Sequence, residues 1–148
     1  MTTKEKGKRK SIVMGCGIVL LSLLVVLAVG GAIGWSLLSR EHREARSLPL
    51  NAVDFDRLKD DGVFHGVYEG GMYRWRFNEC EVTVTNGRVT GIQLIASNDP
   101  SENFDYATLY DRVIEEQSLQ VDTISSATLT SKGHLQCIEN ALLAAQQQ

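Results

Sequence analysis

The hydrophobic and polar positions divide the chain into an apolar stretch near its start and a mixed, more polar remainder. No charged residue occurs from Ser11 to Ser39, a run of 29 residues. About 20 apolar residues are enough for a helix to cross a bilayer, so the run predicts a transmembrane helix over 11–39. The roughly 100 residues that follow the basic arm and the run suffice for one modest core and are too few for two. We therefore expect one membrane helix and a single folded domain.

Charge on the two sides of the apolar run predicts its orientation. The preceding side is strongly basic and carries Lys4, Lys6, Lys8, Arg9 and Lys10 against Glu5. The following side is more balanced and carries Arg40, Arg43, Arg46, Glu41 and Glu44. Since basic flanks favour the cytoplasm, we expect 1–10 to be a cytoplasmic arm and the domain to lie outside the cytoplasm on a single-pass anchor in the membrane lipid. A cleaved signal peptide is the alternative, because small residues lie within the apolar run at Ala28, Gly30, Gly31 and Ala32.

The alternation after the apolar run predicts a small antiparallel sheet. Residues 40–53, interrupted by Pro49, are expected to be a linker, and the domain is expected to occupy 54–148. Val63–Tyr68 alternates as a strand. Met72–Thr85 and Arg88–Ser97 flank Asn86-Gly87, a dipeptide typical of two-residue hairpins because both positions need positive φ. In the second arm of this hairpin, the face that carries Ile92 is predicted to be the core face.

Helical spacing predicts the remaining elements. The segments are a short helix over Asp54–Asp60, a loop over Asn98–Asp105, a helix over Tyr106–Leu119 and a last helix over Lys132–Leu143. The last helix is expected to bury one stripe, formed by Leu135, Ile138, Leu142 and Leu143. Strands that pair locally and are followed by helices indicate an α+β fold, with the helices packed against one side of the sheet.

A hydroxyl-rich segment just before the last helix carries the candidate chemistry. It runs from Asp122 to Ser131 and is rich in Ser, Thr and Ala. A helix that begins near Thr130 would direct free N–H groups at an anion, so the segment is suited to a phosphate. Ser and Thr are also common N-cap residues, and from the residues alone both interpretations stay open.

The same segment resembles the attachment motif of the FMN-binding domain family. That motif is an Asp, two variable residues, Ser or Thr, a small residue, Ala and Thr, and here it reads from Asp122 to Thr128. The resemblance extends over about the last 90 residues, through 61–71, the hairpin at Asn86-Gly87, 112–119 and the last helix. Ser126 departs from the more common glycine of the family.

The resemblance implies a covalent cofactor. In the family the last Thr of the motif is esterified to the phosphate of FMN by a separate flavin transferase that uses FAD, and the matching residue here is Thr128. Ser125, Ser126 and Ala127 would surround the phosphate, with the helix N–H groups of Thr130 and Ser131 beside it. Asp122 would serve recognition by the transferase. Lys132 is a further candidate to pair with the phosphate, although a lysine in a first helical turn is usually solvated.

The function expected from the resemblance and the anchor is an electron carrier and not an enzyme. It would relay electrons from a membrane partner, such as a quinone-linked dehydrogenase, to an acceptor outside the cytoplasm. The alternatives are a reductase that binds FMN without a covalent bond and a flavin-free interaction module of the envelope. The aromatic residues Tyr68, Tyr73 and Trp75 are candidates to stack on the flavin ring, with core packing as the alternative for each.

Charge and cysteine content limit the other functions. From Ser47 onward there are 15 acidic and 7 basic residues, a formal charge of −8, so nucleic acid is not an expected partner. The scattered His and Cys residues predict no metal site. Cys80 and Cys137 are expected to be buried thiols, and a disulfide between them is the less favoured alternative.

Overall fold

The chain consists of two units, Met1–Arg40 and Glu41–Gln148. The computed structural model describes residues 3–58, 61–71, 74–98 and 104–146, and the side chains at 3–18, 41, 44 and 45 lie outside that description. Helix α1 spans Thr3–Arg46. Its portion Val19–Arg40 has 22 residues and a mean hydropathy of 2.2, and none of the residues in its apolar window is buried, so it is long and apolar enough to cross a membrane. The first part of the predicted span, 11–18, lies where side chains are not described.

The second unit is built on a three-stranded antiparallel sheet. The strands are β1 (Gly62–Tyr68), β2 (Asn78–Thr85) and β3 (Arg88–Ser97), in the order β1-β2-β3. Helices α2 (Tyr106–Glu116) and α3 (Thr128–Gln146) pack on one face of the sheet, and a single 3₁₀ turn occupies Phe55–Arg57. The predicted α+β fold is therefore confirmed. The hairpin turn also follows the prediction, since Asn86 and Gly87 both have positive φ, 52° and 70°.

Three predicted boundaries were wrong, and each has a local cause. β2 begins at Asn78 and not at Met72, because Gly70, Gly71 and Arg74 all have positive φ and bend the chain into turns. α2 ends at Glu116, where Gln117 adopts the left-handed conformation of a helix C-terminus. α3 begins at Thr128, earlier than the predicted start near Thr130 and the predicted helix over Lys132–Leu143.

A bulge in β3 explains a partly wrong prediction of the core face. Val84 pairs with Val89 while Thr83 pairs with Gly91, so Thr90 is an extra residue. The bulge reverses the alternation, which buries Val89 although it had been predicted on the outer face. Beyond the bulge Ile92 packs against the core, as predicted. The pairing of β2 with β3 has a second register shift, which lies between Glu79 and Cys80 of β2.

α3 lies very close to β1 where Gly66 faces Cys137. A Cβ atom at Gly66 would lie 2.2 Å from the carbonyl oxygen of Cys137 and 2.8 Å from the amide nitrogen of Ala141. The side chain of Asn140 donates a hydrogen bond of 2.7 Å to the carbonyl of Val67. The helix backbone therefore packs directly on the strand backbone, and only glycine leaves room for it.

Both cysteines of this unit are free thiols in the core. Cys80 on β2 and Cys137 on α3 are fully buried. The Cys137 thiol lies 3.3 Å from the carbonyl oxygens of both Gly66 and Asn78. Its hydrogen bond with Cys80, followed by burial, raises the pKa of the Cys80 thiol far above its usual range. The Cys80 thiol is therefore neutral, and both thiols lie where the sheet meets α3.

Side chains of α3 and of the loop before it hold the segment 46–54, which we call the strap. Lys132 donates to the carbonyl of Arg46, and Gln120 donates to the carbonyl of Leu50. The amide of Ala52 donates to Oε1 of Glu139 at 2.7 Å. Gln146 donates to the carbonyl of Asp54 at 2.6 Å. The strap lies within the predicted linker for most of its length, and here it is fixed to the domain at four backbone positions.

Candidate functional site

The loop before α3 is held in place by the first turn of the helix. The amide of Ala127 donates to the carbonyl of Ile124 at 3.0 Å, which closes a turn at Ser125 and Ser126. The Ser131 hydroxyl accepts from the amide of Ile124 at 3.0 Å and donates to the carbonyl of Ala127 at 2.9 Å. The buried Ser131 in the first turn of α3 therefore holds the loop in place.

The helix start leaves Thr128 exposed next to backbone donors. The amide of Ser131 bonds to the carbonyl of Ala127 at 2.8 Å, the first bond of the α-helical pattern. By the geometry of an α-helix, the N–H groups of Thr128, Leu129 and Thr130 precede that bond and have no acceptor within the helix. Thr128 is exposed to solvent. Its hydroxyl therefore lies at a helix N-terminus, where negative charge is favoured.

Thr128 lines a cavity of about 730 Å³. One side of the cavity is the loop and the first turn of α3, formed by Ser126, Ala127, Thr128, Leu129 and Thr130. The other lining residues are basic, namely Arg46, Arg76 and Lys132. None of the described residues that line the cavity is acidic, although the domain as a whole is acidic. The cavity is thus a local site of positive charge, in the size range of pockets that bind small molecules and cofactors.

The position of Arg76 is fixed by the turns between β1 and β2. The amide of Arg74 donates to the carbonyl of Gly71, and that of Phe77 donates to the carbonyl of Arg74, both at 3.2 Å. The fully buried side chain of Asn78 donates to the carbonyl of Arg76 at 3.1 Å. Oδ1 of Asn78 in turn accepts from the Ser97 hydroxyl at 2.8 Å. These bonds place the backbone of Arg76 at the cavity wall.

The structure brings together most of the residues predicted for the site. Ser126, Ala127, Thr128 and Thr130 line the cavity, and Ser125 is exposed in the same turn. Ser131 is buried beneath the loop, and its amide is used within the helix. Asp122 is exposed at the start of the segment, where its carbonyl accepts from the Arg112 side chain.

Two cationic residues of the cavity had not been predicted. Arg46 and Arg76 lie far from Thr128 in the sequence and reach it only through folding, so no local pattern identifies them. Lys132 had been considered for the phosphate, and it does line the cavity.

The aromatic candidates for ring stacking have different surroundings. Tyr68 is half-buried and packs against α3, with its Cε1 3.3 Å from where a Cβ of Gly133 would lie. Trp75 is 46% exposed and directly precedes the cavity residue Arg76. Tyr73 lies outside the described residues.

The fold and the cavity define a small α+β domain with a cationic pocket beside an exposed threonine hydroxyl. Residues 75–143 match the FMN-binding domain family. This similarity agrees with the resemblance of the sequence motif, and the matched part includes Arg76, Thr128 and Lys132. The match to an FMN-binding domain indicates a flavin-binding protein. Comparison with curated proteins and with solved structures gave no match.

Proposed function

We propose that the protein is a membrane-anchored flavoprotein that carries electrons outside the cytoplasm through FMN esterified to Thr128. The observation that supports this most directly is the exposed Thr128 hydroxyl on a cationic cavity within an FMN-binding domain. An exposed hydroxyl is accessible to a modifying enzyme. Basic side chains and helix N–H groups around it suit a phosphate group.

The residues of the cavity fit the phosphate end of FMN. Thr128 would supply the ester oxygen, and the amides of Leu129 and Thr130 would donate to phosphate oxygens. The Ser126 hydroxyl is a further donor on the same wall. When bound, the flavin ring supplies the electron-transfer chemistry. Outside the cytoplasm a covalent bond prevents loss of the cofactor, because no pool of FMN is available there to replace it.

The proposal includes an anchor and two kinds of partner. Val19–Arg40 would cross the cell membrane, with the basic arm at 1–10 in the cytoplasm and the domain outside. A separate flavin transferase would attach the cofactor. A membrane partner such as a quinone-linked dehydrogenase would supply electrons, and the protein would pass them on without acting as an enzyme itself.

Substitution of Thr128 tests the proposal. The full chain is coexpressed with a flavin transferase, purified in detergent and analysed on a denaturing gel and by intact mass. We expect a fluorescent band and a mass increase equal to FMN minus water. Thr128→Ala should lose both signals completely, because no oxygen is left to esterify.

A matched control uses the half-buried threonine of the same loop. Thr123→Ala should keep the fluorescent band and the added mass, since its hydroxyl is not at the start of α3. A band that persists in Thr128→Ala contradicts the proposed attachment site. Flavin that is released on denaturation of the wild-type chain favours the non-covalent reductase, and no flavin under any condition favours an interaction module.

We also propose that Trp75 packs against the bound flavin ring. The chain has two tryptophans, and Trp35 lies in the apolar part of α1, so Trp35→Phe leaves Trp75 as the only indole. A flavin within stacking distance should quench most of the Trp75 emission. Emission is compared in the loaded Trp35→Phe chain and in the unloaded Trp35→Phe, Thr128→Ala chain. Equal emission from the two, at equal protein concentration, contradicts the stacking.

A further inference from the structure

The strap shortens the free chain between the apolar span and the cavity. The apolar span ends at Arg40, and the strap is bonded to the domain from Arg46 onward. Lys132 holds the carbonyl of Arg46, and three further hydrogen bonds fix the remainder of the strap. The sequence had predicted a linker as far as residue 53. The free connection runs only from Arg40 to Arg46, and we call it the tether.

The length of the tether limits how far its two ends lie apart. An extended chain spans at most about 3.6 Å per residue, so the six residues from Arg40 to Arg46 reach about 22 Å in any conformation. A chain that was free as far as Asp54 would have 14 residues and would reach about 50 Å. The limit follows from chain length alone and holds for every orientation of the domain relative to α1.

The tether is attached to the domain at the cavity itself. Arg46 lines the cavity beside Thr128, and Lys132, which holds its carbonyl, lines the same cavity. A folded domain of about 100 residues has a radius of gyration of about 13 Å and is more than about 30 Å across. A tether with a reach of about 22 Å therefore does not allow the domain to turn the cavity to its side away from the membrane. Under the proposed anchor, the cavity stays near the bilayer surface.

We infer that the strap keeps the cofactor cavity at the membrane surface, so that the bound flavin exchanges electrons with a partner held in the same membrane. This role of the strap rests on the proposed anchor and on the proposed ester at Thr128, and it adds the location of the partner. Electron transfer requires the two redox groups to approach closely. A partner that moves within the lipid meets the cavity repeatedly, because the tether keeps both at one surface. A lipid-soluble carrier of the quinone class suits this position.

The distance of the flavin from the lipid headgroups tests the inference. The full chain loaded with FMN is placed in lipid nanodiscs that contain a rhodamine-labelled lipid headgroup, which accepts energy from the flavin. A segment of about 20 Gly and Ser residues, inserted between Arg43 and Glu44, adds a root-mean-square length of about 25 Å to the tether. Quenching of the flavin emission should be strong in the wild type and should fall in the chain with the insertion.

Oxidation of the reduced flavin gives a second readout. The probe is a long-chain ubiquinone dissolved in the nanodisc, without oxygen. Two electrons and two protons pass from the reduced flavin to the quinone, which becomes the quinol. The effective concentration of two tethered groups falls roughly as the −3/2 power of tether length, so the insertion should slow this oxidation about tenfold. A water-soluble benzoquinone should oxidise both chains at the same rate.

Controls separate the length of the tether from the presence of an insertion. The same segment inserted after Thr3, on the other side of the span, should change neither readout. Equal quenching, or equal oxidation by the long-chain quinone, in the wild type and in the chain with the longer tether overturns the inference while the ester at Thr128 stands. A wild-type flavin that the long-chain quinone does not oxidise overturns it as well. Failure of the wild-type chain to gain the mass of FMN overturns the proposed function itself.

Discussion

Ser126 adopts a backbone conformation that glycine would adopt more easily. Its φ is 65°, in the turn that leads into Thr128, and the motif of the FMN-binding family more often has glycine there. The left-handed conformation costs a residue with a Cβ about 1–2 kcal/mol. Unlike glycine, the serine places a hydroxyl at the cavity wall.

Ser126→Gly should therefore stabilise the domain. We expect the free energy of unfolding to rise by about 1 kcal/mol, because relief of the strain exceeds the entropy that glycine adds to the unfolded chain. Urea unfolding of the full chain in detergent measures the change. The neighbouring Ser125 is not among the described residues with positive φ, so Ser125→Gly should destabilise slightly. Equal effects of the two substitutions contradict the assignment of strain to Ser126.

At the scale of elements, the packing of α3 on β1 decides whether the site forms. Thr128 is at the N-terminus of α3, and the middle of the same helix packs backbone to backbone against Gly66. Burial of Ile138, Leu142 and the two thiols follows from this close approach. A change at Gly66 therefore acts on the cavity through the position of the helix, although Gly66 does not line the cavity.

Gly66→Ala should destabilise the domain strongly, while the same substitution on another strand should not. A Cβ at Gly66 would lie 2.2 Å from the carbonyl oxygen of Cys137, so helix or strand must move, at a cost of about 3 kcal/mol. At Gly91 the nearest atom to such a Cβ is 3.7 Å away, which is an ordinary contact. Gly91→Ala should therefore be neutral or slightly stabilising. Similar losses in the two variants, measured by urea unfolding, contradict the close packing described for α3.

At the scale of the whole molecule, the strap connects the chain that leaves α1 to the helix that carries Thr128. Glu139 is only 2% exposed, and its two carboxylate oxygens accept from the amide of Ala52 and from the side chain of Gln136, each at 2.7 Å. A buried carboxylate with two charge-assisted bonds holds its partners firmly. The strap is therefore part of the domain, and its local opening requires these bonds to break.

Glu139→Ala should release the strap before it unfolds the domain. Loss of a charged hydrogen bond of about 1.5–3 kcal/mol should raise the population of the open strap, and trypsin cleavage after Arg46 should become at least about tenfold faster. Cleavage sites are identified by mass spectrometry of the digest. Glu115→Ala, at an exposed position of α2, serves as the control and should leave the rate unchanged. A cleavage rate in Glu139→Ala equal to that of the wild type contradicts a role of this carboxylate in holding the strap.

The sequence was sufficient for the features that depend on neighbouring residues. Asn86-Gly87 defines its hairpin locally, and the spacing of Leu135, Ile138 and Leu142 identifies part of the buried surface of α3. The bulge at Thr90 was missed because pairing with β2, and not the alternation of β3 alone, decides which side Val89 faces. Arg46 and Arg76 were missed for the same reason, since tertiary packing alone brings their charges to Thr128. The motif identified the reactive residue, whereas its electrostatic surroundings required the fold.

The two register shifts along β3 affect whether its outer edge can pair with a strand of another molecule. A straight outer strand exposes a regular row of amide and carbonyl groups that another molecule can extend into a larger sheet. In β3 the pairing with β2 is interrupted near both ends of the strand, which twists and bends its free edge. Under the proposed membrane anchor, copies of the domain would share one bilayer and would meet far more often than molecules free in solution. The irregular outer edge of β3 would hinder pairing between such copies at this strand.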